Sequence, residues 1–122
     1  ALESDVDLTD LDPERLGWSR DRLVEELLSQ QPKDEDLVVC HGDLCLPNVL
    51  LDPDTVEVTG IVDTGRLGVA DRWTDLALAT RSLASPQNPQ FGQWAAKRYL
   101  AEYGIELDHE KCGYYRLLDE FF

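Results

Sequence analysis

Three oxygen-bearing side chains, Asp43, Asn48 and Asp63, are spaced so that together they would suit phosphoryl transfer. Asp43 and Asn48 lie five positions apart in the loop His41-Gly-Asp-Leu-Cys-Leu-Pro-Asn48. Asp63 follows the apolar pair Ile61-Val62 and precedes Thr64 and Gly65. Phosphoryl transfer needs a carboxylate that orients and deprotonates an attacking hydroxyl, and oxygen ligands that hold Mg²⁺. Asp43 fits the first role; Asn48 and Asp63 fit the second. Each residue alone has a commoner explanation, since an Asp in a loop or at a strand end usually serves a turn or a cap. Their order and spacing, with short strands between them, favour the chemical reading.

The neighbours of these residues read as support. His41 is expected to pack beneath the loop, bond backbone groups and orient Asp43. Cys40, His41 and Cys45 lack the paired spacing of a zinc site. Cys40 should point away from His41 on an extended strand, which also argues against a Cys–His nucleophile pair. Arg66 is expected in a structural ion pair. Asp75, on the first turn of a helix, is expected to cap it or to accept N–H groups from the His41–Asn48 loop. At the end of the sequence, Asp119, Glu120 and the Phe122 carboxylate place three negative groups within about one helical turn, a candidate cation clamp. Asp10, Asp12 and Glu14 form a second acidic stretch, either a solvated lead-in or part of a cation-binding loop.

The elements that must position these groups are short. Ser19 can cap a helix to about Gln30, with Leu23, Val24, Leu27 and Leu28 on one face, and Pro32 stops it. Leu37-Val-Val-Cys40 reads as a buried strand. Val49–Leu51 and Val56–Val62, joined by Asp52-Pro-Asp-Thr55, predict a hairpin. Antiparallel pairing would bring Asn48, at the entry of one arm, beside Asp63 at the exit of the other. Gly65 and Gly68 punctuate a turn, and Asp71 can cap a helix through about Ala84. Pro89 suits the first turn of a third helix carrying Phe91, Trp94, Ala95, Tyr99 and Leu100, which Gly104 ends. A fourth opens near Asp108 and carries Cys112, Tyr115 and Leu118 into the terminus. The pattern is α+β, mostly helical, with a small β-hairpin at the site.

The 122 residues are one domain's worth of sequence, with a formal charge of −14. Such acidity repels nucleic-acid phosphates and anionic lipid headgroups and attracts polycations. No stretch reaches the ~20 apolar residues of a membrane span, and the acidic N-terminus is unlike a signal peptide. Three cysteines, an odd and sparse set, suit a reducing compartment. The cytoplasm is the expected location. A first residue other than Met suggests a piece of something longer.

The motifs Val38-Val-Cys-His-Gly-Asp-Leu-Cys-Leu-Pro-Asn48, Ile61-Val-Asp-Thr-Gly-Arg-Leu-Gly-Val-Ala-Asp-Arg72, Asp75-Leu-Ala-Leu-Ala-Thr-Arg81 and Tyr115-Arg-Leu-Leu-Asp-Glu-Phe-Phe122 together resemble the aminoglycoside phosphotransferase family. The likeness is strongest to its 3′-phosphotransferase branch, which acts on kanamycin and neomycin. Protein kinases share the spacing from catalytic Asp to metal-binding Asn. The resemblance implies a protein-kinase-like fold, of which this chain is the C-terminal lobe alone. It implies Asp43 as the base, Asn48 and Asp63 as ligands of the Mg²⁺ that accompanies ATP, and His41, Arg66 and Asp75 as support. Asp10, Asp12, Glu14, Asp119, Glu120 and the Phe122 carboxylate would hold the ammonium groups of an aminoglycoside antibiotic. No glycine-rich nucleotide loop is present, so the N-terminal lobe of that family is missing from these residues. A choline or amino-sugar kinase of the same fold, or a non-catalytic cation-binding fragment, are the alternatives.

Overall fold

The structure, a computed structural model, describes residues 17–121. Its elements follow in the order α1 (Arg20–Gln30), β1 (Leu37–Cys40), a 3₁₀ turn (Leu46–Asn48), β2 (Val49–Leu51), β3 (Val58–Ile61), β4 (Gly68–Asp71), α2 (Trp73–Ala84), α3 (Gln93–Tyr103) and α4 (His109–Asp119). Helices dominate, and two antiparallel ribbons, β1–β4 and β2–β3, carry the loops between them. Among the described residues no helix is long and apolar enough to cross a membrane.

The helices start where local chemistry directs. Ser19 accepts the N–H of Arg22 at the head of α1, and Asp108 accepts that of Lys111 at the head of α4. These side chains satisfy N–H groups that the first helical turn leaves without partners. Gly104 ends α3 in the left-handed conformation, φ +87°, which costs glycine nothing. Its N–H returns to the carbonyls of Leu100 and Ala101.

α2 is the central helix. Trp73, Leu76 and Ala77 pack with Leu100 of α3 and with Cys112 and Tyr115 of α4. α1 adds a second cluster, in which Leu23 and Leu27 meet Leu117 and Phe121. Burying one such side chain contributes about 1.5–3 kcal/mol. Tyr114 and Leu118 border both clusters and join them across α4.

Several expectations are corrected. The strand at Leu37–Cys40 forms but is not buried: Val39 is 73% exposed, and of its four residues only Cys40 lies inside. Its single partner among the described residues is β4, paired Leu37↔Asp71 to Cys40↔Gly68, in a stretch that reads as a turn because Gly68, Ala70 and Asp71 have poor strand propensity. Pairing overrides that propensity. α3 begins at Gln93, four residues beyond Pro89, because residues 85–90 are used in successive turns. Its buried face is Ala95, Ala96 and Leu100, while Trp94 is 62% exposed. On α1, Leu28 is exposed and only Leu23 and Leu27 are buried. The second hairpin arm is shorter than its apolar sequence, because Val56 sits at φ +60° and belongs to the turn.

A buried ion pair ties β4 to α4. Asp71 accepts the Lys111 ammonium at 2.6 Å and the N–H groups of Asp36 and Trp73 at 2.8 Å each. Asp71, expected to cap α2, precedes the cap residue, which is Arg72 and makes no side-chain cap bond; Asp71 instead accepts the N–H of Trp73, the first residue of the helix.

Candidate active site

The His41–Asn48 loop leaves β1 and enters β2, with α2 behind it. Two side chains of α2 hold it. Asp75 accepts the N–H of His41 at 2.8 Å through Oδ2 and that of Gly42 at 2.9 Å through Oδ1. Ser82 Oγ accepts the N–H of Leu46 at 2.9 Å. The expected supporting role of Asp75 is therefore seen directly; Ser82 was not anticipated.

Gly42 stands at φ +94°, and a methyl group there would meet Arg66 Cβ at 2.5 Å and Arg66 O at 2.6 Å. Only glycine meets both demands, the left-handed conformation and the closeness of a second backbone. The turn fixed in this way presents Asp43 next in sequence.

His41 is 6% exposed and bridges loop to hairpin. Its Nδ1 accepts the Asp43 N–H at 3.1 Å, so Nε2 carries the proton and donates to Val62 O at 2.8 Å. The imidazole thus fixes the backbone of Asp43 and of the residue before Asp63, the scaffolding part expected of it.

Asn48 Nδ2 donates to the Asp43 carbonyl at 2.9 Å and approaches Asp43 Oδ2 at 3.4 Å. These acceptors fix which end of the amide faces Asp43 and leave Oδ1 on the other. Hairpin pairing runs Val49↔Ile61 and Leu50↔Gly60, and the Val62 N–H donates to Asn48 O at 2.9 Å. The ladder therefore ends between Asn48 and Val62, with Asp63 the next residue, as the hairpin expectation requires. Asp63 is exposed and stands at φ +60°, an unusual conformation for which Asp is among the more tolerant residues.

Cys45 has no nucleophile's environment. Burial raises its thiol pKa, the Asp43 charge raises it further, and the reactive thiolate is disfavoured. Cys40 is pushed up to about 11 by burial and then by the Asp75 and Asp71 charges. Its sulfur faces the carbonyls of Ala70 and Asp71.

The end of α4 closes on the same loop. Asp119 pairs through Oδ1 with Arg66 at 2.9 Å and through Oδ2 with Arg81 at 2.7 Å, so the ion pair expected of Arg66 is present. Glu120 caps α4 and is 8% exposed. Asp10, Asp12, Glu14 and Phe122 lie outside the described residues. Sequence reasoning missed Ser82, Arg81 and Lys111. The one available signal was for Ser82, seven residues after Asp75 and so on the same helical face.

A family model described as the phosphotransferase enzyme family matches residues 2–112. The aminoglycoside 3′-phosphotransferases of Streptomyces fradiae and Streptomyces ribosidificus are 58% and 54% identical over 118 residues, which is 96% of this chain and 44% and 45% of theirs. A crystal structure of aminoglycoside-3′-phosphotransferase of type VIII aligns at TM-score 0.86 and 56% identity over 96% of this chain and 45% of that one. Aminoglycoside phosphotransferase APH(3″)-Id of Streptomyces rimosus aligns at TM-score 0.83 and 38% identity, over 95% of this chain and 46% of that one. The same enzyme has been solved in complex with ADP and streptomycin. This chain thus spans less than half the length of these relatives, and it shares their protein-kinase-like α+β fold. With a family model matching it from residue 2 to residue 112, and with the Asp43–Asn48 loop and hairpin formed on that fold, this chain belongs to the phosphotransferase enzyme family.

Proposed function

We propose that these residues are the hydroxyl-activating and acceptor-binding lobe of an ATP-dependent aminoglycoside kinase that phosphorylates a 3′-hydroxyl and so confers resistance. The observation that carries the reading is the Asn48 amide turned onto Asp43 in a loop fixed by Asp75 and His41. Identity of 58% to an aminoglycoside 3′-phosphotransferase supports the acceptor. The chain spans 44% of that relative's length, and in this reading the nucleotide lobe lies in the remainder.

Asp43 carries the acid–base step, accepting the proton of the sugar hydroxyl as its oxygen attacks the γ-phosphorus of ATP and ADP leaves. His41 and Asn48 fix the Asp43 backbone, so the carboxylate need not reorganise during the reaction. Asn48 and Asp63 fit Mg²⁺. Both offer oxygen, the donor that ion takes, and the nitrogen end of Asn48 is already turned toward Asp43. When bound, Mg²⁺ supplies charge neutralisation at the transferred phosphoryl group. Asp10, Asp12, Glu14, Glu120 and the Phe122 carboxylate supply negative charge for the drug's ammonium groups, and the formal charge of −14 draws such polycations in. The cytoplasm, where ATP is made, is the proposed location.

The test is a chimera in which the unmatched part of the Streptomyces fradiae enzyme is joined to these residues, assayed with MgATP and kanamycin. A phosphorylated kanamycin by mass spectrometry supports the reading. A folded chimera that phosphorylates choline and leaves kanamycin untouched overturns it.

A further inference from the structure

We propose that Asn88, in the connection from α2 to α3, is a positioning residue for Asn48, acting through the last turn of α2 and Ser82. The proposal rests on the reading of Asn48 as a ligand of Mg²⁺. A proline creates the need for it. α2 ends at Ala84, and in a continuing helix the Ser82 carbonyl would take the N–H of residue 86. That residue is Pro86, which has no N–H and also keeps Ser85 extended, at φ −67° and ψ 139°. The Ser85 N–H reaches the Ser82 carbonyl in a tighter turn, at 3.2 Å. Asn88 supplies the shorter bond, its Nδ2 donating to the same carbonyl at 2.8 Å.

Asn88 is held in place for that bond. Pro86, Gln87, Pro89 and Gln90 are exposed, and Asn88 between them is half-buried. Its own N–H donates to Ser85 O at 2.9 Å, and its carbonyl accepts the Phe91 N–H at 3.0 Å. The side chain thus reaches α2 from a backbone fixed on both sides.

From Ser82 the path to the site is short. Its hydroxyl oxygen accepts the Leu46 N–H at 2.9 Å. Leu46 opens the 3₁₀ turn Leu46–Asn48, and Pro47 within that turn has no N–H to give. The Asn48 N–H turns back to Cys45 O at 3.0 Å. Asn48 therefore takes its place from the residues just before it, and Leu46 takes its place from α2. Packing does not substitute for the bond, because a cleft of about 290 Å³ opens beside the turn, lined by Leu46, Val49 and Leu83 among others. Fraying of the last turn of α2 moves the Ser82 hydroxyl, and with it the end of the loop that carries Asn48. Asp75, seven residues earlier on α2, goes on holding His41 and Gly42.

Amide exchange followed by NMR in the 122-residue chain tests the link. Asn88→Ala should speed exchange at Leu46 and Asn48 about fivefold, the factor that loss of one neutral hydrogen bond yields, and leave His41 and Gly42 within about twofold of wild type. Ser82→Ala should speed the same two amides. Adding Asn88→Ala to it should then change them no further, because the path runs through the Ser82 hydroxyl. Unchanged exchange at Leu46 and Asn48 in Asn88→Ala, an equal rise across all helices, or an added effect in the double variant overturns the proposal. In the chimera, Asn88→Ala should raise the Mg²⁺ concentration for half-maximal rate about fivefold, as loss of support behind a metal ligand does. KM for kanamycin should move less than about twofold. A raised KM for kanamycin at unchanged Mg²⁺ dependence overturns the proposal. If the wild-type chimera fails to phosphorylate kanamycin, the proposed function fails, and the exchange experiment still decides the link.

Discussion

Asp75 and Ser82, seven residues apart on α2, hold the two ends of the His41–Asn48 loop: Asp75 takes the N–H groups of His41 and Gly42, and Ser82 takes that of Leu46. Two helical turns span about 10 Å along the axis, and a residue and its seventh successor share a face. A rigid helix therefore sets the distance between the loop's ends. Asp43, between them, inherits its position from α2 without any bond from its carboxylate to that helix.

Replacing Asp75 tests this arrangement. Asp75→Ala leaves two N–H groups without acceptors in a part-buried place, a loss of about 2–4 kcal/mol. Ser82→Ala removes one neutral bond and should cost about 1 kcal/mol. Both side chains hold one loop, so the double variant should lose less than the sum. Thermal and urea unfolding give the three values; strict additivity would mean that the loop's ends are independent.

Gly42→Ala should be worse than its size suggests. The added methyl must displace the Arg66 backbone, whose oxygen it would meet at 2.6 Å, and it must adopt φ +94°. Strain and overpacking together amount to about 2–5 kcal/mol. Because Arg66 is the neighbour displaced, the Arg66–Asp119 pair should loosen too, visible as an Arg66 side-chain NMR shift in the folded fraction. A variant as stable as wild type would show that Arg66 can move freely, and the close approach would carry no constraint.

Much of the site was legible in the sequence because its signals are local. The spacing from Asp43 to Asn48, the hairpin between Asn48 and Asp63, and the caps at Ser19 and Asp108 each need only a few consecutive residues. The supporting parts assigned to His41, Arg66 and Asp75 also appear in the structure. What stayed hidden depends on residues distant in the chain. β4 exists because β1 lies beside it, and nothing in Gly68-Val-Ala-Asp71 announces a strand. Lys111 looks like a surface residue of α4 until Asp71, forty positions earlier, is placed against it. Arg81 carries no local sign of its pairing with Asp119. Val39 is apolar and β-branched, yet it is exposed, because a two-stranded ribbon turns one of its faces outward among the described residues.

The Asp71–Lys111 pair predicts how the fold responds to acid. Burial pushes the Asp71 carboxyl up, but the Asp36 N–H, the Lys111 ammonium and the Trp73 N–H outweigh it and hold the group below its usual range. A depressed carboxyl contributes stability above its unfolded pKa, about 4, and loses it as pH falls through the lower folded value. Lys111 is raised, chiefly by its bond to Asp71, so its contribution is complete below about pH 10 and is lost only in strong alkali. Lys111→Met should cost about 3–5 kcal/mol at neutral pH, since it leaves a buried carboxylate without its cation. It should also shrink the stability lost between neutral and acid pH, because without that cation the Asp71 carboxyl is no longer held as low. Adding Asp71→Asn should recover part of the loss and flatten the pH dependence, as followed by tryptophan fluorescence between neutral and acid pH. A stability that falls as steeply with acid in Lys111→Met as in wild type would sink the account.

The division of labour between Asp43 and the acidic end of the chain predicts opposite kinetic signatures. Asp43→Asn keeps the shape of the side chain and removes its basicity, and Asn48 can still donate to the Asp43 carbonyl, which the substitution does not touch. In the chimera, kcat should therefore fall by about 10²–10⁴, the usual worth of a positioned base, with KM for kanamycin within about twofold of wild type. Deleting Phe122 together with Glu120→Gln removes or displaces negative charge proposed to meet the drug's ammonium groups but leaves the buried Phe121 and the loop bonds of Asp75 and His41 in place. It should raise KM for kanamycin with a smaller effect on kcat, and the rise should shrink at high salt, because screening weakens the attraction that the deletion removes. Steady-state kinetics of both variants at two ionic strengths measures all four quantities. Turnover retained in Asp43→Asn would remove Asp43 as the base, and an unchanged KM after the deletion would remove the end of the chain from the drug site.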